Sequence, residues 1–158
     1  MAENRRPKDP EQSYDGYRKG NLSRQATEQE EQMIYTTYFA NLRHLPTTVT
    51  PIAICGSVPK FYTGLTYKKL APKYSFFSVW KETHDNDYYI ENFNKLVLNA
   101  LNPKDVVNEL LSMSQTADVA LVCYEKPSDF CHRHLVADWL IQAGYECKEF
   151  ERMKLECE

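Results

Sequence analysis

The stretch Val119-Ala120-Leu121-Val122-Cys123-Tyr124-Glu125-Lys126-Pro127-Ser128-Asp129-Phe130-Cys131-His132-Arg133 decides how this chain is read. Its first six residues form an apolar run without polar alternation, the pattern of a strand buried on both faces in a parallel sheet. A short polar loop follows. Leu135, Val136, Trp139, Leu140 and Ala143 then recur at helical spacing up to Gly144, where the helix is expected to end. A strand handing over to a helix through a tight loop is half of an α/β unit. In open α/β sheets ligands gather beyond the carboxyl ends of the strands, where helix N-termini offer unpaired amides.

Outward from this stretch the chain alternates in the same way. Residues 33 to 39 are rich in β-branched and aromatic side chains and predict a strand, 40 to 45 a short helical turn ended by Pro46, and 49 to 55 a second apolar strand closed by Gly56. Residues 57 to 73 show no clean period and predict a long loop over the sheet's edge, of the kind that carries function. Residues 75 to 80 fit a strand or a short helix equally. Tyr89, Ile90, Phe93, Leu96, Val97 and Ala100 make one helical face, Asn102-Pro103 ends that helix and begins another, and residues 145 to 150 hold a last short strand. The expectation is an α/β domain over 32–158, its mostly parallel sheet flanked by helices, with a polar N-terminal arm over 1–31. Within the arm, Thr27 to Glu30 has the capping-box pattern, and Tyr14 and Tyr17 are positioned to wrap it onto the domain.

A chain of 158 residues with 42% hydrophobic and 26% charged residues has the size and composition of one globular domain. A net charge of −3 gives no support to nucleic acid or an anionic membrane as partner. No apolar run reaches the ~18–20 residues of a membrane span, and the N-terminus lacks an apolar signal stretch, so a cytoplasmic protein is expected. Five cysteines, an odd number at irregular spacing, predict free thiols. The eleven tyrosines are expected as core and surface filler before base-stacking contacts.

With Ser128 or Asp129 as N-cap, Cys131 falls in the first helical turn, where the helix dipole and Arg133 lower a thiol's pKa. At about 100° per residue, the apolar stripe centres on His132, turning it inward, with Cys131 and Arg133 on the two shoulders and His134 toward solvent. Cys131, His132 and Glu125 are therefore the candidate catalytic residues: a nucleophile and two groups for proton transfer. Arg133, Cys123, Gly56 and Ser57 are the candidate substrate-binding residues. The bland readings stand beside these. His132 is a structural histidine bonded to Glu125 or a loop carbonyl; Arg133 is either an anion ligand or the ion-pair partner of Glu125 or Asp129; Cys123 is a small core residue or a redox partner of Cys131. A zinc site from Cys123, Cys131, His132 and Cys55 lacks the paired close ligands of structural zinc, so no metal is assigned and no cofactor is named. The chain has no P-loop, G-x-G-x-x-G, G-x-S-x-G or H-E-x-x-H motif, nor the Cys-x5-Arg loop of tyrosine phosphatases.

The run from Val119 to Leu140 resembles the signature of the domain-of-unknown-function family 488 of bacterial and phage proteins, a Cys-x-Glu strand end followed by Cys-His-Arg. The likeness continues upstream through Ile34 to Phe39, Ile54 to Pro59, Leu70 to Pro72 and Tyr89 to Leu98, about residues 33 to 150 in all, and leaves the N-terminal arm outside. It implies a Rossmann-like domain with Cys123, Glu125, Cys131, His132 and Arg133 grouped at one edge as an active or binding site. It carries no activity. The function expected is a Cys-His-Arg site for an anionic small molecule, a nucleotide or sugar phosphate, with thiolate chemistry; the alternative is a non-enzymatic ligand binder or a phage or host interaction protein.

Overall fold

The computed structural model describes residues 32–152; the expected arm, its capping box and Cys157 lie outside the described residues. Its strands are β1 (Ile34–Tyr38), β2 (Val49–Ala53), β3 (Leu65–Thr66), β4 (Asp118–Cys123) and β5 (Cys147–Glu149). They form one five-stranded sheet in the order β3-β2-β4-β1-β5, parallel at every pairing. Helices α1 (Tyr74–Thr83), α2 (Asn86–Leu96), α3 (Pro103–Met113) and α4 (His132–Gln142) flank it. This is the expected Rossmann-like α/β architecture.

β4 lies between β1 and β2, with Leu121 opposite both Thr36 and Ile52. Its residues Val119 to Cys123 are buried without a break, which is why the run carries no polar alternation. Val119 and Leu121 join a large core with Ile52, Phe93, Leu110 and Val136. Val122 faces a smaller cluster with Phe39, Ala53 and three cysteines, Cys55, Cys123 and Cys131.

The helix boundaries follow capping chemistry. Asn102 accepts from the Lys104 and Asp105 amides, and Pro103 takes the first helical position, where its missing N–H costs nothing. Asp85 caps α2 by accepting from Tyr88 N at 3.1 Å. Gly144, at φ 97°, ends α4 in a conformation open to glycine.

Two expectations are corrected and one open alternative is resolved. The loop expected over 57–73 contains the edge strand β3 and a 3-10 turn at Lys68–Leu70, because Tyr67 N bonds to Ala53 O and continues the pairing along β2. The ambiguous residues 75–80 are helical, with Phe76 buried against Tyr89 and Phe93. Val97 is buried as expected, but Leu96 and Ala100 leave the buried face of α2, since the helix gives way after Leu96 to a 3-10 turn, Leu98–Ala100, that turns Leu98 inward instead.

Leu121 is fully buried in the central strand. Leu121→Ala should lose about 2–5 kcal/mol of stability, measured by chemical denaturation.

Candidate active site

β4 ends at Cys123, and after eight intervening residues the chain enters α4 at His132. Cys131 is itself the N-cap residue, extended at φ −153° and ψ 140°, so the expected caps Ser128 and Asp129 stay in the loop and Cys131 precedes the first turn. Phe130 accounts for the delay. It packs against Trp80 and Tyr89, at centroid distances of 5.6 and 5.0 Å, and holds the chain extended for two residues more.

From this start, His132, Val136 and Leu140 repeat every fourth residue and are all buried. His132 Nε2–H donates to the Ile54 carbonyl at 2.8 Å. That bond assigns the tautomer and leaves Nδ1 as an acceptor toward Cys123 Sγ, 3.6 Å away. The Cys123 thiol also lies 3.7 Å from Glu125 Oε2. The Cys123 and Cys131 sulfurs and a His132 ring nitrogen all sit within 4.8 Å of one another. The structure thus brings Cys123, Glu125, Cys131 and His132 together. His134, expected toward solvent, is half-buried, and its Nε2 has no hydrogen-bond partner among the described residues.

Two thiols this close, within 4.8 Å, do not ionise independently. Cys131 is held well below the usual thiol range by a hydrogen bond from Cys123 and, against the cost of burial, by the Arg133 backbone amide. Cys123 is pushed up, because it gives its hydrogen to Cys131 and is itself buried. The two shifts run in opposite directions, so within the pair Cys131 gives up its proton more readily and Cys123 holds its own longer. Burial and the charge of an ionised Cys131 raise the Glu125 carboxyl as well. Cys55 is pushed up to about 11, mainly by burial, and its thiol donates to Ser57 O at 3.0 Å. The spacing of the two sulfurs and the imidazole admits a soft divalent ion. The same atoms, however, already satisfy one another as donors and acceptors, which is the arrangement of a thiol–imidazole network.

Arg133 is 0% exposed. Its Nε and Nη2 donate to the two oxygens of Glu149, each at 3.1 Å, and Nη1 donates to the Glu125 carbonyl at 2.6 Å. Neither side chain expected as its ion-pair partner takes that role: Glu125 contributes its backbone, and the charge is matched from β5.

A cavity of about 310 Å³ opens beyond the carboxyl ends of β2 and β4. Cys123, Glu125 and His132 form its reactive side, and Phe77, Trp80, Tyr89 and Phe130 an aromatic wall. Cys55, Gly56, Ser57, Pro72, Tyr74 and Tyr124 complete the lining, with Tyr124 Oη donating to Ser57 O at 2.9 Å. Neither Cys131 nor Arg133 lines it. Sequence reasoning missed the aromatic wall and Glu149. The spacing of Phe77 and Trp80, three residues apart, would have signalled the wall once 75–80 was known to be helical.

A family model described as the active DUF488-N3 subclade matches residues 20–144. The chain belongs to the DUF488 family. No curated protein and no solved structure matches it. The DUF488 match includes residues 20–32, part of the arm that the resemblance left outside, and stops before β5, so Glu149 lies beyond it.

Removing one partner of the buried pair, as in Arg133→Met, should cost about 3–5 kcal/mol, much of it regained in the double variant Arg133→Met/Glu149→Leu, as read by urea denaturation. A raised carboxyl pKa stabilises the fold below the ordinary carboxyl range and loses that contribution as pH rises through the folded value. Glu125→Gln should therefore raise Tm at pH 7, with the gain fading below about pH 4, where glutamate is protonated in both states.

Proposed function

We propose that the protein is a thiol-dependent enzyme acting on a small molecule held in the cavity, with Cys123, Cys131 and His132 as the reacting group. One observation carries this: Cys123 and His132 lie on the cavity surface, and the Cys131 sulfur lies behind them within 4.8 Å of both. Passage of a proton from Cys123 to Cys131 brings the thiolate to the cavity, beside His132 Nδ1. The nucleophile is then Cys123, and Cys131, the expected nucleophile, stores the charge.

The balance of the reaction follows. Cys123 Sγ bonds to an electrophilic carbon, the bond from that carbon to the leaving group breaks with its electron pair, and the leaving group takes the proton that had passed to Cys131. Water then displaces the sulfur, its oxygen bonding to the carbon and its proton restoring the Cys123 thiol. The matched subclade's description as active agrees with this reading.

With Arg133 committed to Glu149, the phosphate of a nucleotide or sugar phosphate would lie at the rim. Lys73 and Lys126 are exposed there, each adjoining a lining residue in sequence.

Iodoacetamide near pH 7 should alkylate Cys123 before any other described thiol. Cys147, pushed up to about 12 mainly by burial, should react slowly. Cys123→Ser should remove the fast-labelling site, and Cys131→Ser should move its labelling at least about one pH unit higher, because the shared proton is lost. Mass mapping of the label decides: faster labelling at Cys147 overturns the reading.

A further inference from the structure

The cavity's lining is unlike an anion site. Among the described residues it is lined by no lysine or arginine, and Glu125 is the one acidic side chain there. Burying a phosphate there would leave two negative groups without a countercharge. A bare sugar fits no better, since a polyhydroxyl ring needs many hydrogen-bonding partners and most of this lining is aromatic or aliphatic.

What the lining does offer is flat apolar surface. Phe77 and Trp80 stack at 6.1 Å, and Trp80 and Tyr89 both pack on Phe130, so the wall is locked by its own contacts and its shape precedes any ligand. At the mouth, Tyr74 is 80% exposed and Tyr124 46% exposed, two aromatic faces directed at solvent beside a cavity. A volume of about 310 Å³ is at the small end of ligand pockets, roughly 300–1,000 Å³, and suits a single heterocycle with part of its substituent.

We propose that the portion of the ligand entering the cavity is an uncharged, planar nitrogen heterocycle bearing an amino group, the chemistry shared by adenine and cytosine. Its face lies on the aromatic lining, its amino edge meets the Glu125 carboxyl, and any phosphate stays outside. A carboxyl oxygen accepts from an exocyclic amine, whereas a ring carbonyl at the same place would set acceptor against acceptor. The inference rests on the cavity being the ligand site of the proposed enzyme, and it names what that site selects.

The test uses full-length protein carrying Cys123→Ser, which removes turnover, and Trp139→Phe, which leaves Trp80 as the fluorescent reporter. Adenosine, cytidine, inosine, uridine and inorganic phosphate are titrated separately. Adenosine or cytidine should quench Trp80 emission and bind at least about tenfold more tightly than its oxo counterpart. Tyr74→Ala, at an exposed side chain, should weaken that binding about tenfold. Glu125→Ala should abolish the preference for the amino compound. The inference is overturned if phosphate displaces the nucleoside from the cavity, if inosine and uridine bind as tightly as their amino counterparts, or if no nucleoside binds. Iodoacetamide labelling separates the two claims. Labelling at Cys123 without nucleoside binding removes this inference alone, and nucleoside binding without labelling removes the thiol chemistry while leaving the cavity's selectivity standing.

Discussion

The site depends on a buried guanidinium. Arg133 sits in the first turn of α4 with no access to water, an arrangement that would be costly if any of its charge went unmatched. Glu149 on β5 matches it with both oxygens, and Thr36 on β1 donates in turn to Glu149 Oε1 at 2.6 Å. The third branch of the guanidinium holds the Glu125 carbonyl. One side chain therefore ties α4, β5 and β1 to the loop carrying the carboxyl that lines the cavity. Its part is to position Glu125, and the weak three-residue pairing of β5 to β1 gains a partner from the core.

Within that frame the chemistry is set by how few protons a small group of atoms can share. The Ile54 carbonyl takes the Nε2 proton of His132, so the other ring nitrogen must accept. Cys123 is then placed among three acceptors: His132, Glu125 and the sulfur of Cys131. The competition explains why its proton is retained and why Cys131, which also receives a backbone amide, is the sulfur that ionises. Burial does not make these thiols inert, because each neighbour discriminates between thiol and thiolate. Cys55, with a carbonyl acceptor and no such discrimination, behaves as an ordinary buried thiol.

Much of the fold was legible because its signals are local. The uninterrupted apolar run of β4 could only belong to a strand covered on both faces, and Asn102-Pro103 marks a helix start through its own capping bonds. The inward turn of His132 followed from its four-residue spacing to Val136 and Leu140. What was misread depends on tertiary partners. A two-residue edge strand such as β3 has no periodicity to show, and it exists because β2 offers an open edge. The partner of Arg133 is fixed by the register of β5 on β1, which brings Glu149 level with Thr36. The start of α4 slipped by a few residues because Phe130 is drawn into an aromatic wall assembled from two other helices. The same slip separates a first-turn thiol from the N-cap thiol observed, and so decides which sulfur faces the cavity.

The strand order also constrains how the chain is made. β1 and β2 are not neighbours; each lies against β4, which leaves the ribosome long after both. Until it does, β1 has no partner at all and β2 has only the two residues of β3, so hydrogen-bonding edges of apolar sequence stand open on the nascent chain. The arrival of a single segment closes them together. Slow translation before Asp118 therefore prolongs a sticky intermediate that a chaperone would have to shield, whereas among the described residues the finished sheet is edged by short strands of two and three residues.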